Sequence, residues 1–193
     1  MRVSRTLALP LFFSVLACST PPAPVPSGPP PDWKLASASM ATGDTFRGNA
    51  NGGQISLRIQ DHRATGPSAN LTVGNGVIRG TGNSGRTIQV TIQENRSTGL
   101  VGSVPFRCNV DINPDGSAHV TGTMGAGGAD YTLSPTAING RIGVVVYHLN
   151  WGGERYEGQM VPGGYGFLQL PAVMATWSDV EAATFLSLML MGA

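Results

Sequence analysis

Lysine is almost missing from this sequence: Lys34 stands alone beside eleven arginines, and only 12% of the 193 residues are charged. Twelve basic residues face eleven acidic ones, and no run of like charge occurs. Nucleic-acid binding leans on a clustered basic surface that neutralises phosphates, so nucleic acid is not an expected partner. Cysteine is as scarce. Cys18 and Cys108 are the whole supply, which excludes the disulfide framework of small secreted scaffolds. No apolar stretch approaches the roughly 20 residues that a helix needs to cross a bilayer. The three histidines, His62, His119 and His148, are scattered singly, without an HExxH or a pair at helical spacing, so neither a metal nor a cofactor is expected. A G-x-S-x-G nucleophile elbow is also lacking; the nearest string, Gly66-Pro67-Ser68-Ala69-Asn70, has no second glycine and no following helix. The sequence therefore names no catalytic residue.

What is present begins with a leader. Arg2 and Arg5 precede an uncharged apolar run over 7–17, which ends in Leu16-Ala17-Cys18-Ser19. A basic segment, an apolar segment of about 11 residues and a small-residue cleavage site make a signal peptide, not a retained span. Leu16-Ala17-Cys18 resembles the lipobox of bacterial lipoproteins, over residues 1–19 alone. The resemblance implies diacylglyceryl transfer to the Cys18 thiol, cleavage before it and acylation (palmitate-type) of the new amino group. Ser19, where aspartate signals inner-membrane retention in that family, points to the outer membrane. Two or three acyl chains, at about 0.8 kcal/mol per buried CH₂, anchor stably where one is marginal.

Residues 20–32, TPPAPVPSGPPPD, contain seven prolines. Such a stretch prefers polyproline II and at about 3.1 Å per residue spans roughly 40 Å, a semi-rigid spacer. The expected organisation is a signal peptide at 1–17, a lipidated cysteine and linker at 18–32, and one β-rich domain at 33–193. With two basic residues removed with the leader, the mature chain carries ten against eleven acids, a charge of −1.

Within the domain, short apolar alternations are separated by clusters of Gly, Asn, Asp and Pro, the pattern of many strands and tight turns. The clearest strands are 54–59, with Ile55, Leu57 and Ile59 on one face, and 87–93, with Ile88, Val90 and Ile92 inward. Further strands are expected at 70–73, 76–80, 104–112, 118–124, 131–133 and 141–150. The fold class is mainly β, an antiparallel meander closing into a barrel or a sandwich. The run 142–149 is apolar on both faces and calls for a cover. A helix over 178–191, opened by Ser178 and Glu181 as a capping box, is apolar nearly all round and must be buried. Residues 71–80 and 133–143 echo each other, but restricted hairpin chemistry explains that without a repeat.

Several motifs reduce to turns. Gly80-Thr81-Gly82-Asn83-Ser84-Gly85 matches G-x-G-x-x-G but precedes a strand, not the helix a dinucleotide site requires. Asp111-Ile112-Asn113-Pro114-Asp115-Gly116 opens like a calcium loop, yet its twelfth position is Gly122, not a bidentate glutamate, and Asn-Pro-Asp-Gly suits a hairpin turn. Cys108 is in phase with Phe106, Val110 and Ile112, so its thiol is expected inside and inert. His119 is expected to face solvent. The most promising surface is the glycine turn that gathers Trp151, Arg155, Tyr156 and two carboxylates, with Tyr165 nearby, since Trp, Tyr and Arg are enriched at binding hot spots; the structural alternative is a hairpin whose Trp151 and Tyr156 pair across strands.

These features point to a membrane-anchored envelope lipoprotein with a non-catalytic binding or structural domain, its partner an envelope protein, a glycan or a small apolar ligand. Two other expectations remain open: a hydrolase assembled from separate strands, with His62 or His148 as base beside a carboxylate, and a barrel carrying an apolar molecule with the final helix as lid or plug.

Overall fold

The computed structural model describes residues 43–50 and 53–193; the leader, Cys18 and the proline-rich linker lie outside the described residues. Fourteen strands form one closed antiparallel barrel in which each strand pairs with its sequence neighbours and the first pairs with the last. They are β1 (Thr45–Ala50), β2 (Gly53–Gln60), β3 (Arg63–Gly66), β4 (Ala69–Gly74), β5 (Val77–Thr81), β6 (Thr87–Gln93), β7 (Arg96–Val101), β8 (Val104–Ile112), β9 (Ala118–Met124), β10 (Gly127–Leu133), β11 (Ala137–Ile142), β12 (Val145–Trp151), β13 (Tyr156–Val161) and β14 (Gly164–Gln169). Closure, which removes both sheet edges, comes from Arg47 on β1 standing opposite Gln169 on β14.

Alternation decides which face is wet. Ile55, Leu57 and Ile59 point in while Ser56, Arg58 and Gln60 point out, and the same division holds for Ile88 and Val90 against Thr87, Gln89 and Thr91. The wall is thus apolar inside and polar outside, the reverse of the pattern of a barrel that crosses a bilayer. No described helix is long and apolar enough to cross a membrane.

The lumen is occupied. After β14 the chain crosses the proximal mouth, the one beside Asp44, in a short 3-10 turn, Ala172–Thr176, and then descends through the barrel as α1 (Asp179–Met191). Every residue from Glu181 to Met191 is buried, and α1 touches strands all round the wall, among them β1, β4, β8 and β11. An all-round apolar helix is the one kind a closed apolar wall can accept. Ser178 caps its start: the Ser178 hydroxyl accepts from the Glu181 backbone N–H, and the Glu181 carboxylate accepts from the Ser178 N–H at 3.0 Å and from the Gly76 N–H at 3.3 Å. Gly192, at φ 84°, ends it in a left-handed cap, with the Ala193 N–H donating back to the Leu188 carbonyl. Trp177 seals the mouth, its indole N–H donating to the Asp61 carbonyl and its ring meeting Phe185 edge-on at 5.3 Å.

Two expectations are corrected. Residues 141–150 are not one strand: the chain turns at Gly143 and Val144, and Val144 is 73% exposed, so the run's two apolar faces belong to two strands and need no cover. The echo between 71–80 and 133–143 reflects a real periodicity. Every odd-numbered strand carries a buried residue followed two places later by glycine: Phe46-x-Gly48, Ala64-x-Gly66, Ile78-x-Gly80, Ser97-x-Gly99, Val120-x-Gly122, Ile138-x-Gly140 and Tyr156-x-Gly158. At each of these glycines an added Cβ would meet the preceding strand of the ring, as close as 2.0 Å at Gly80 and Gly99. Seven hairpins are therefore creased at one equivalent place.

The creases have a geometric reason. Fourteen strands about 4.8 Å apart and tilted roughly 40° give a wall radius of about 14 Å, wider than the roughly 10 Å at which packed layers sit. Large side chains bridge the difference: Phe46, Phe106, Tyr131, Tyr147 and Tyr156, all buried, fill the space between wall and helix, and the glycines let neighbouring strands approach closely.

Candidate functional site

The interior contains one polar belt. Ser97, Cys108 and Tyr131 reach from the wall to Thr184 and Ser187 of α1. The Ser97 and Thr184 hydroxyls share a short hydrogen bond, the Tyr131 and Ser187 hydroxyls lie 2.8 Å apart, Ser187 donates to the Ala183 carbonyl at 2.9 Å, and the Cys108 sulfur is 3.8 Å from the Ser187 oxygen. These groups satisfy one another, so they fix the axial and rotational setting of a helix whose apolar faces alone would not. Burial pushes the Cys108 thiol up to about 11, against hydrogen bonds from Ser187 and Thr184 that act the other way. Burial also raises the Tyr131 hydroxyl, and lifts that of Tyr147 to about 12. Cys108 is thus buried, as its phase in the strand implies. It is expected to stay silent toward a thiol-reactive disulfide reagent in the native protein and to react within minutes in denaturant; native labelling at the unfolded rate would contradict this burial.

The surface expected at the 151–156 turn is only partly on the surface. Tyr156 is fully buried, its hydroxyl donating to the Ser134 carbonyl at 2.9 Å; it occupies the inward position two residues before the Gly158 crease, which is why it cannot face a ligand. Trp151 stands opposite it across the hairpin and packs edge-on at 5.0 Å, half-buried. Arg155 and Tyr165 do lie outside, and they converge on Glu157. Arg155 Nε donates to Glu157 at 2.8 Å while its guanidinium sits 4.8 Å from the Phe167 ring centroid. The hydrogen bond from Arg155, then that from Tyr165, holds the Glu157 carboxyl below the usual range. Tyr165 is 65% exposed. This patch has its own charge balance built in.

A second outer surface was not foreseen, because its members are distant in sequence. Arg63 stands opposite Thr72, Thr72 opposite Arg79 and Arg79 opposite Gln89, a row across β3 to β6. Arg107 stands opposite Thr98, and Arg96 opposite Asn109, on β7 and β8. Beside Gly80 a groove of about 670 Å³ opens, with Arg63, Asn70, Thr72, Arg79, Thr87 and Gln89 along it. Above Gly99 a second, of about 640 Å³, is lined by Arg96, Thr98, Pro105, Arg107 and Asn109. No carboxylate lines either groove. The sequence contains no basic run, yet register gathers four arginines on one side of the barrel.

No family model matches the chain, and no curated protein or solved structure matches it.

The histidines stay apart. His119 pairs with Asp130 at 3.0 Å on the outer wall, with Asp130 71% exposed; His148 lies 3.4 Å from Asn139; His62 is exposed at the turn between β2 and β3. His119 faces outward as expected. The other motifs resolve as turns. The glycine-rich 80–85 string forms a single 3-10 turn, Asn83–Gly85, before β6. In the 111–116 loop the Asp115 carboxylate accepts from the Ser117 N–H at 2.9 Å and from its hydroxyl at 2.7 Å, and those bonds hold Asp115 below its ordinary value. Among the described residues no cluster of His, Cys, Asp and Glu could hold a metal ion.

Proposed function

We propose that this protein is an envelope lipoprotein: lipid on Cys18 tethers it, residues 20–32 space it from the membrane, and the plugged barrel is a non-catalytic display scaffold that binds its partner on the outer wall. The observation that carries the reading is the filled lumen. A closed barrel offers a ligand either its inside or its outside, and α1 with its polar belt takes the inside, which argues against an apolar cargo there. The outer wall, by contrast, presents two creased grooves and the Arg155–Glu157–Tyr165 patch. The hydrolase alternative draws less support: His62 lines a groove with Thr72 but no carboxylate, and among the described residues His119 and His148 pair with Asp130 and Asn139 on the outer wall, far from it.

The test is fatty-acid labelling of cells expressing the wild type beside Cys18→Ala, followed by native mass spectrometry. Lipid on the wild type and none on the variant, with no further stoichiometric ligand, is the expected outcome. An unlabelled wild type would remove the anchor, and a retained apolar molecule released only on unfolding would remove the filled-lumen argument.

A further inference from the structure

The charges on the barrel are sorted by position. Strands β1 to β7 contain no acidic residue, yet they carry Arg47, Arg58, Arg63, Arg79 and Arg96 on their outward positions. Most acids lie at the proximal mouth instead: Asp44, Asp61, Glu94, Asp115, Glu154 and Asp179 sit in its turns or at the start of α1, while Asp111, Asp130 and Glu157 stand on β8, β10 and β13. The outer face of β3 to β7 is therefore basic, and the one acid on β8, Asp111, accepts from the Asn95 side chain at 3.1 Å near the proximal mouth, whereas β13 neutralises Arg155 with its own Glu157.

We propose that the fluted flank over β3 to β8 is a binding site for an anionic polysaccharide, with carboxylate or phosphate groups pairing with Arg63, Arg79, Arg96 and Arg107. This deepens the outer-wall reading given above. Four observations favour that class. Among the described residues none of these four arginines has a carboxylate ion-pair partner, and Arg96 and Arg107 are diagonal neighbours across β7 and β8, close enough for two long side chains to meet one anionic group. The Arg96 Nε is already directed by the Asn109 side chain at 3.1 Å, which leaves the outer guanidinium nitrogens for a ligand. Arg63 and Arg79 flank Thr72 two strands apart, roughly 10 Å between their backbones, a spacing at which a planar guanidinium pair engages successive anionic groups of a chain. Finally, the groove between them is lined by Asn70, Thr72, Thr81, Thr87, Gln89 and Thr91, hydroxyls and amides that exchange hydrogen bonds with sugar hydroxyls. No aromatic ring on this flank faces outward to stack a base, which disfavours single-stranded nucleic acid. A flat bilayer meets a convex wall along a line and leaves the groove floors untouched.

The experiment measures binding of the full chain, in a neutral detergent, to polygalacturonate, phosphomannan, neutral dextran and phosphatidylglycerol vesicles, at low and moderate salt. A quadruple variant, R63Q/R79Q/R96Q/R107Q, is compared with R141Q on the opposite flank, each checked for an unchanged thermal transition. At least tenfold tighter binding of one acidic polysaccharide than of dextran is expected, weakening with salt. The quadruple variant should lose it by tenfold or more, and R141Q by less than twofold. Preference between polygalacturonate and phosphomannan identifies carboxylate or phosphate as the recognised group. Equal binding by the quadruple variant, binding to neither acidic polymer, or binding to vesicles alone would each overturn the proposal. If that happens while Cys18 is labelled, the tethered-scaffold reading stands and only the ligand class fails; polymer binding without a lipid leaves this inference standing.

Discussion

Gly99→Ala is expected to destabilise the barrel by more than about 3 kcal/mol, enough to leave much of the protein unfolded or insoluble. Overpacking usually costs 1–3 kcal/mol because side chains move aside. Here the added carbon would lie 2.0 Å from the Gln89 carbonyl oxygen and 2.6 Å from the Val90 Cα. Both are main-chain atoms in a hydrogen-bonded strand, so relief requires β6 and β7 to separate. Gly99 is not at a positive φ, which makes the effect one of space and not of backbone preference. The matched control is Gly128→Ala: its nearest neighbour is an arginine side-chain atom at 3.8 Å, and it should change stability by well under 1 kcal/mol. Urea unfolding of the two variants side by side would decide the matter. Equal, small effects would mean that the creases are incidental to closure.

Phe185→Ala should have the second large effect. Phe185 is fully buried at the upper part of α1, with its ring edge-on to Phe46 at 5.5 Å and to Trp177 at 5.3 Å. Truncation of a buried Phe costs about 3–5 kcal/mol, and a domain of this size loses roughly 2–4 °C of Tm per kcal/mol. A fall of about 6–20 °C in the thermal transition is therefore expected. Because the ring links β1, the mouth seal and the helix, the loss should appear as one cooperative transition shifted downward. A separate early transition would instead show that α1 leaves the barrel before the wall unfolds.

Much of this architecture was legible in the sequence, and the reasons are local. Alternation over 54–59 and 87–93 assigns faces because the side-chain period of a strand is two, and Ser178 with Glu181 marks the helix start through hydrogen bonds within one turn. The burial of that helix follows from its having no polar face. What stayed hidden depends on register. Residues 141–150 look like one strand because a glycine turn of two residues leaves no polar gap in the pattern. Tyr156 looks like a surface aromatic because it sits in a glycine-rich, charged neighbourhood, although the crease at Gly158 fixes its phase inward. Arg63, Arg79, Arg96 and Arg107 are many residues apart in the chain, and only the pairing of β3 to β8 makes them neighbours. The buried-x-glycine spacing was visible in principle, seven times over; its meaning, a close approach of backbones, needs the ring to exist.

The creased hairpin also sets how such a barrel can change size. An antiparallel ring grows by whole hairpins, and each one added would, at the same tilt, widen the perimeter by about 12 Å and the radius by roughly 2 Å. That is about the depth of a methyl layer all round α1, a gap the polar belt from Ser97, Cys108 and Tyr131 could not bridge. The helix thus works as a mandrel: it gauges the number of hairpins wound about it, and a duplication or loss of one hairpin would be tolerated only alongside a helix of different girth.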